Sequence, residues 1–491
     1  MTTEALSQSN AACTPQAASP RKLAALAALL GSPFVIIFLS SNIVNVGNLA
    51  FNLLFSRWMG PEVFGDLAVT LTLMLAVMGV LTAVQMAVSQ VVASAEASAR
   101  AGHLVALANL NRAALCAVGI ALPAVLAAIW LGNPGGALGM SDPAALVVLA
   151  LAVPFMAPLS LLRGVINGNI DVKRIVLSAQ GEMIVRLVLA VAAWQAGFGL
   201  IGVVWALALS IVAGWVVMGR VLPAPARLLP RLGADEKRLA KQMGLIALPF
   251  ALLQAAQVVL LDGDVFLAKL LLSEREAGLV AALSLVQRIQ FFACFALASI
   301  LLPSVSRAVA EGGNGLRQAL PVAGLFLAVA VPFVAGAILV PDLMIGVLFG
   351  AAYLDAQPAL LPTALAACAF TCVYLVATFM AGHNLRRGIW MICAAAPVQV
   401  GTIVLAATLV PGFDLADLLW VKLTCMTLLV LAVTGGALRS FATRTTSATD
   451  WLMRFVGTCS NTSDDQTRSK CLSGNGISLS PVENTFPCLA S

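Results

Sequence analysis

The segment LRGVINGNIDVKRIVLSAQGEMIVR, residues 162–186, is a polar and basic interruption between two apolar runs. Its C-terminal part places a carboxylate and a guanidinium, Glu182 and Arg186, inside the second of these runs. A related segment, MAGHNLRRGIWM, occurs at residues 380–391. The recurrence of a basic hinge between two apolar runs predicts a chain that is built from two similar halves.

The composition of the chain is that of a membrane protein. Hydrophobic residues make up 60% of it, charged residues only 10%, and the mean hydropathy is +0.98. Soluble domains carry about 25% charged residues. The apolar runs are long enough to cross a bilayer as helices and lack the alternation of a β-barrel. The ten cysteines are scattered singly, so we interpret them as small core residues and not as a metal or disulfide framework.

The apolar runs predict an all-α integral membrane protein with about twelve transmembrane helices in two six-helix bundles. The expected spans are 33–55, 64–92, 113–132, 144–163, 175–196, 198–220, 244–270, 277–303, 318–340, 358–381, 388–410 and 415–438. The corresponding domains are a disordered N-terminus (1–28), an N-terminal bundle (29–220), a basic linker (221–243), a C-terminal bundle (244–438) and a disordered tail (439–491).

The distribution of basic residues predicts the orientation in the membrane. Most of the 28 lysines and arginines fall in alternate loops and termini, whereas the intervening loops hold only Arg57, Lys269 and Arg275. Loops rich in lysine and arginine stay on the cytoplasmic side. We therefore expect both termini in the cytoplasm, and the net charge of +6 gives no indication of nucleic-acid binding.

Two local alignments support an internal repeat. Gly65 aligns with Gly278 at the beginning of the second and eighth spans, and Gly168 aligns with Gly382 in the two hinges. Because each half has six spans, both halves enter the membrane in the same direction and form a parallel repeat. Transporters built in this way place the substrate between the halves and rock them alternately.

Several segments resemble the polysaccharide-transport branch of the MOP flippase superfamily. NLLFSRWMGPEVFGDLAV (52–69) is similar to the loop after its first helix, and LLRGVINGN (161–169) with GEMIVRLVLA (181–190) is similar to its fourth and fifth helices. Further similar segments are LDGDVFLAKLLLSEREAGLVAALSLVQ (261–287), LLPSVSRAVA (301–310) and MIGVLFGAAYLDAQPALLPTALAA (344–367). Together they cover roughly residues 30–440 in the family's order.

This resemblance implies a MATE-like fold in the bacterial inner membrane. It also implies a substrate, a polyprenyl-pyrophosphate-linked oligosaccharide that moves from the inner to the outer leaflet for exopolysaccharide, capsule or O-antigen synthesis. The other expected partners are membrane lipids, a coupling ion (H⁺ or Na⁺) and glycan polymerases or glycosyltransferases. No cofactor is expected.

Charged residues inside the spans are the first candidates for substrate contact. Arg186 and Arg288 each lie about 16 Å from one membrane face, at similar depth in the two halves. A buried guanidinium faces the bundle interior, and two of them suit a grip on pyrophosphate. Glu182 could neutralise Arg186 one turn away or hold a proton, whereas Arg288 has no carboxylate one turn away. Lys422 lies near the end of its span, where it could snorkel.

Amide side chains are the second group of candidates. Asn45, Asn48 and Asn52 share one face of the first span, where they either line a polar cavity or make a helix contact. Amides both donate and accept hydrogen bonds and therefore suit sugar hydroxyls. Gln254 and Gln257 in the seventh span are their expected counterparts.

Two other functions remain as alternatives. A multidrug or cation antiporter of the same fold is expected to use buried carboxylates and aromatics, whereas this interior is net basic and 6% of the residues are aromatic. An integral-membrane glycosyltransferase is suggested only by the pair Asp262 and Asp264, and it would need a large outer catalytic loop. The resembling family has a single aspartate, at the position of Asp264, and we expect no enzymatic activity.

Overall fold

A computed structural model describes residues 33–95, 97–140, 142–218, 221–223, 232–311, 313 and 315–460. Every regular element within these ranges is helical. The helices are α1 (Pro33–Ser94), α2 (Ala97–Gly132), α3 (Pro134–Ala137), α4 (Ala144–Gly168), α5 (Val172–Gln195), α6 (Gly199–Met218), α7 (Ala234–Leu271), α8 (Glu274–Ala310), α9 (Leu316–Leu339), α10 (Pro341–Leu348), a 3₁₀-helix (Ala351–Ala356), α11 (Gln357–Gly382), α12 (Arg387–Leu409) and α13 (Leu415–Ser460).

Helix α1 contains the first two predicted spans. Its backbone leaves helical geometry at Gly60, with φ 73° and ψ 172°, and Pro61 follows. A positive φ is easily adopted by glycine, and proline suits the first turn of the second limb. Eleven described helices are long and apolar enough to cross a membrane, and α1 supplies two crossings. The expectation of about twelve spans is therefore confirmed.

The helices form two bundles. In the N-terminal half α1, α4, α5 and α6 pack against one another and α2 packs against α4; in the C-terminal half α11 contacts α8 and α13, and α12 contacts α7 and α13. Most contacts between the halves join α1 to α7 and α8, with a smaller contact between α2 and α7. Each half therefore has its own set of helix contacts, and few elements join the two.

The repeat is confirmed at the level of single residues. Helices α4 and α11 end at the aligned Gly168 and Gly382, and each is followed two residues later by a non-glycine residue with positive φ, Ile170 (53°) and Asn384 (60°). A Cβ atom on Gly168 would lie 2.7 Å from the Ser89 carbonyl oxygen, and one on Gly382 would lie 2.7 Å from Val305 Cγ1. The two hinges thus pack tightly against equivalent long helices, α1 in the N-terminal half and α8 in the C-terminal half.

Several helices extend beyond the spans that hydropathy predicted. Helix α2 begins at Ala97 and α7 at Ala234, so residues 234–243 belong to a helix and not to the linker. Asp235 and Glu236 occupy the first turn of α7, where carboxylates interact favourably with the helix dipole.

The C-terminal boundary also differs. Helix α13 continues to Ser460 although we predicted disorder from residue 439. No proline or glycine occurs between Ala437 and Val456, so nothing local stops the helix. The predicted disordered N-terminus, residues 224–231 of the linker and the tail beyond residue 460 lie outside the described residues.

The halves meet closely at one end of the bundles, which we call the closed end (residues 55–66 and 265–280). Here the aligned Gly65 and Gly278 face each other, and a Cβ on Gly65 would lie 3.2 Å from the Gly278 nitrogen. A Cβ on Gly278 would lie 1.8 Å from the Pro61 carbonyl oxygen. Small residues at such crossings let helix backbones approach. Any side chain at residue 278 is therefore incompatible with this packing.

We predict that Gly278→Ala separates the two halves at the closed end. Overpacking at such a contact costs about 1–3 kcal/mol. Hydrogen–deuterium exchange of the purified protein should become faster in peptides that cover residues 55–66 and 274–284. Gly324→Ala is the matched control, because a Cβ on Gly324 meets nothing within 4 Å. Unchanged exchange in Gly278→Ala would contradict the predicted role of this contact.

Candidate functional site

Glu182 is shared by two arginines in the N-terminal half. Its Oε1 accepts from Arg186 Nη2 at 2.5 Å, and its Oε2 accepts from Arg163 Nη2 at 2.7 Å. The side chains of Arg163, Arg186 and Glu182 are 17%, 12% and 10% exposed. Two guanidiniums and one carboxylate leave this buried triad with one uncompensated positive charge.

Neighbouring polar groups hold the triad in place. Arg163 donates from Nε and Nη2 to Ser178 Oγ, at 3.1 and 3.0 Å. Arg186 donates from Nη1 to Asn48 Oδ1 at 2.8 Å and from Nε to Ser210 Oγ at 3.5 Å. The triad therefore joins α4 and α5 to α6 and to the first limb of α1.

The three asparagines that share one face of the first span, Asn45, Asn48 and Asn52, have different surroundings in the structure. Asn48 and Asn45 are half-buried, and Asn48 contacts Arg186. Asn52 is buried, with 8% exposure, and its Nδ2 donates to the Asn48 carbonyl oxygen at 2.8 Å. Of these three asparagines, Asn48 is therefore the one that contacts the charged triad, while Asn52 is packed into the core.

Arg288 is not a free cation. Its Nε donates to Asp262 Oδ1 at 2.7 Å, and the Asp262 side chain is 6% exposed. As the sequence indicated, no carboxylate lies one turn from Arg288 on α8 itself. Asp262 approaches from α7, the neighbouring helix. The two guanidiniums that we expected at matching positions therefore differ in their counter-charges. Arg288 has a carboxylate of its own, whereas Arg186 shares Glu182 with Arg163.

Lys422 also differs from its predicted position. It is 1% exposed, and its Nζ donates to Asp264 Oδ2 at 2.7 Å, Gln287 Oε1 at 2.7 Å and the Leu261 carbonyl oxygen at 3.0 Å. The snorkelling interpretation was wrong because three oxygens from α7 and α8 surround the ammonium group. The C-terminal half therefore also contains buried ion pairs.

The two aspartates of α7 serve different neighbours. Residues two positions apart on a helix point in divergent directions, so Asp262 reaches Arg288 on α8 while Asp264 reaches Lys422 on α13. Each carboxylate is engaged by a cation of the chain. This arrangement gives no support to a metal-binding pair of a glycosyltransferase.

The two predicted glutamines lie along the same helix. Gln254 and Gln257 are half-buried on α7. A Cβ on Gly79 would lie 3.5 Å from Gln254 Cβ, so Gln254 packs against the second limb of α1. Gln254 is therefore located at the contact between the halves, at some distance along α7 from the paired aspartates.

Ion pairs cross between the halves at the closed end. Lys269 Nζ lies 2.6 Å from Asp66 Oδ1, and these side chains are 2% and 1% exposed. Arg275 contacts Glu62 at 3.2 Å and Asp355 at 2.8 Å, with all three side chains substantially exposed. Arg57 donates to the carbonyl oxygens of residues 347 and 348. The three basic residues that we assigned to outer loops thus all make contacts at the closed end.

The sequence did not indicate Arg163 as part of the site. It lies at the end of an apolar run, where the basic hinge begins. The hinge could have indicated the contact between Arg163 and Glu182, because two antiparallel helices joined by a short turn bring residues on either side of the turn together. The Asp66–Lys269 pair had no comparable local signal, since its partners belong to different halves.

A model of the polysaccharide biosynthesis protein family matches residues 54–358, well over half of the chain. The chain belongs to this family. A comparison with curated proteins finds no significant match.

Solved structures show the same fold at low sequence identity. An inward-facing multidrug resistance MATE family transporter of the MOP superfamily has a TM-score of 0.70 and 15% identity, covering 82% of this chain and 96% of that chain. The lipid II flippase MurJ in an inward closed conformation has a TM-score of 0.62 and 12% identity, covering 88% and 94%.

An outward-facing MATE family transporter has a TM-score of 0.57 and 16% identity, covering 85% of this chain and 98% of that chain. These likenesses establish the MATE-like fold. With the family match and the apolar helices of the described chain, they identify a multi-pass membrane protein of the polysaccharide biosynthesis protein family.

We predict that Lys422→Met strongly destabilises this polysaccharide biosynthesis protein. Removing one partner of a buried pair costs about 3–5 kcal/mol because the other charge remains buried. The midpoint of thermal unfolding in detergent should fall, and the second substitution Asp264→Asn should recover much of the loss. Lys173→Met, at an exposed lysine, is the matched control and should leave the midpoint unchanged. A stable Lys422→Met protein would show that Asp264 does not need this partner.

Proposed function

We propose that the protein translocates a polyprenyl-pyrophosphate-linked oligosaccharide from the inner to the outer leaflet of the bacterial inner membrane. The product would serve the synthesis of a cell-surface polysaccharide. In this proposal both termini are cytoplasmic, and the two bundles alternate access to a site between them. H⁺ or Na⁺ would be the coupling ion, and glycan polymerases or glycosyltransferases would be the neighbouring partners.

The uncompensated charge of the Arg163–Glu182–Arg186 triad is the observation that carries this proposal. Cations are unfavourable inside a membrane protein unless an anion neutralises them. Guanidinium groups bind phosphate oxygens in bidentate geometry, and a diphosphate supplies several such oxygens. A substrate with a diphosphate between a lipid and a sugar therefore suits an apolar bundle with this buried positive charge.

The asparagines of α1 support the sugar part of the proposal. Asn48 lies next to Arg186, and the half-buried Asn45 lies nearly one turn before it on α1. Amide groups can donate to and accept from hydroxyls at the same time. A sugar that follows the diphosphate would thus find hydrogen-bonding partners beside the cation that binds its phosphate groups.

The closed end supports alternating access. With the N-terminus in the cytoplasm, Arg57, Lys269 and Arg275 lie on the outer side. Contacts between the halves at that end would then close the outer exit and leave the protein facing inward. The TM-score of 0.70 with an inward-facing MATE transporter, against 0.57 with an outward-facing one, agrees with this orientation.

A multidrug or cation antiporter remains the alternative within the same fold. The MATE structures favour it only by fold, because their sequence identities are 15% and 16%. Cationic drugs need an excess of negative charge, whereas the triad is net positive and the two ion pairs of Asp262 and Asp264 are neutral. The charge of the interior thus supports an anionic substrate.

Deletion of the gene tests the proposal. We expect loss of a surface polysaccharide, intracellular accumulation of the lipid-linked oligosaccharide and unchanged sensitivity to cationic drugs. The Arg186→Gln protein should insert normally but fail to restore the polysaccharide. Arg174→Gln is the matched control on the same helix, because Arg174 is exposed and contacts only Asp171, at 3.5 Å, among the ion pairs of the described chain. Altered drug sensitivity with normal polysaccharide would sink the proposal in favour of the antiporter.

A further inference from the structure

The two arginines of the triad are held unequally. Arg163 has Glu182 as a charged partner and donates twice to Ser178 Oγ. Helix α6 lies close to this side: a Cβ on Gly214 would be 3.4 Å from both Arg163 Nη2 and Glu182 Oε2. Arg163 and its carboxylate oxygen therefore lie against α6, and Arg163 makes more bonds to α5 than to any other helix.

Arg186 has Glu182 and two weaker neutral partners. It donates to the Asn48 side-chain oxygen on α1, a helix that also contacts the other half, and it lies 3.5 Å from Ser210 Oγ. Its shortest contact is the one of 2.5 Å to Glu182 Oε1. Of the two guanidiniums, Arg186 is thus the one that could exchange its carboxylate partner without opening the packing around α6.

We propose that Glu182 is an internal counter-anion, and that the diphosphate of the substrate replaces it on Arg186. In this exchange Glu182 Oε1 leaves Arg186 while Oε2 stays on Arg163 Nη2. The incoming phosphate oxygens accept from Arg186 and take the place of the Asn48 oxygen. Arg163 is then a positioning residue, which retains Glu182 and does not touch the substrate. The inference rests on the proposed function for the identity of the substrate.

Charge balance explains why such an exchange would be useful. Arg186 is paired with an anion both before and after binding, so a bare guanidinium is not left in the low-dielectric interior. A transported ligand must also leave its site, which requires binding that is strong enough for entry and weak enough for release. A carboxylate tethered one helical turn away competes with the diphosphate and therefore promotes its release.

Binding of inorganic pyrophosphate to the full-length protein in nanodiscs tests the exchange by calorimetry. We expect Arg186→Gln to abolish binding. Glu182→Gln removes the competitor and should tighten binding by about tenfold. The same variant should transport more slowly, because release is no longer assisted. Higher affinity combined with slower transport is a result that a purely structural role of Glu182 would not produce.

Two further variants test whether pyrophosphate affinity depends on the exchange at Arg186 or only on the net charge of the triad. Glu182→Asp keeps the charge but is one methylene shorter, so it cannot reach both guanidiniums, and binding should tighten a few-fold. Arg163→Gln frees Glu182 to pair only with Arg186, and binding should weaken by about tenfold. Adding Glu182→Gln to Arg163→Gln should restore binding to at least the wild-type affinity. Continued weak binding in that double variant would show that Arg163 touches pyrophosphate directly and would overturn its positioning role.

The control lies in the other half. The double variant Asp262→Asn with Arg288→Gln removes a neutral buried pair and should leave pyrophosphate affinity unchanged. Thermal unfolding of each variant reports whether it is folded, and Glu182→Asp, which conserves charge, serves if Glu182→Gln does not fold. Weaker or unchanged binding in a folded Glu182→Asp protein would overturn the exchange.

The inference and the proposed function can fail separately. If gene deletion leaves the surface polysaccharide intact while Glu182→Gln still tightens pyrophosphate binding, the anion exchange stands and the proposed substrate is wrong. If deletion removes the polysaccharide but pyrophosphate binding does not respond to Glu182 or Arg186, the transport function stands and the exchange site is wrong.

Discussion

A charge that is buried in a membrane-embedded bundle needs an opposite charge within reach, and this requirement determines which helices lie side by side. In the N-terminal half the Arg163–Glu182 contact joins α4 to α5. In the C-terminal half Asp262 joins α7 to α8, and Asp264 joins α7 to α13. Apolar packing alone is a weak determinant of helix neighbours in lipid, where lipid tails compete with leucine for the same contacts.

The location of these pairs separates the parts that stay rigid from the parts that can move. The pairs that are enclosed within one half bind three or more helices of that half together. Among the described residues, the ion pairs that cross between the halves lie at the closed end, where Asp66 meets Lys269 and Glu62 meets Arg275. Separation at this end breaks few contacts within either bundle. The distribution of charge therefore favours rocking of two bodies over rearrangement inside one of them.

Local patterns predicted the architecture but not the pairing of charges. Composition, basic loops and the two aligned hinges predicted the membrane class, the repeat and the turns after Gly168 and Gly382. The predicted ends of two helices were wrong, since the structure begins α7 at Ala234 and ends α13 at Ser460. Hydropathy measures residence in the bilayer, whereas a helix continues into water until the backbone is interrupted. Hydropathy therefore gives the number of crossings more reliably than their lengths.

The errors in the site have one physical cause. The environments of Arg288 and Lys422 depend on how α7 is rotated toward α8 and α13, and a single sequence gives no measure of that rotation. Glu182 and Arg186 were paired correctly because they are one turn apart on one helix, where geometry is fixed locally. The partner of Arg163 was of intermediate difficulty to predict, because Glu182 is close in sequence but lies across a turn. Prediction of charged sites in such bundles is thus reliable within a helix and loses accuracy with each turn or loop that separates the partners.

The charge difference between the halves has a consequence for transport. The C-terminal network is neutral and each of its cations has its own carboxylate, so it gains little from an anionic ligand. The N-terminal triad shares one carboxylate between two cations and is the more favourable place for negative charge. A parallel repeat thus supplies two bundles of similar backbone, in which a few buried side chains give one bundle a net positive cluster and the other a neutral one. The two bundles meet at the closed end through the Asp66–Lys269 and Glu62–Arg275 pairs, so the internal pairs of each bundle can be kept when the halves move apart there.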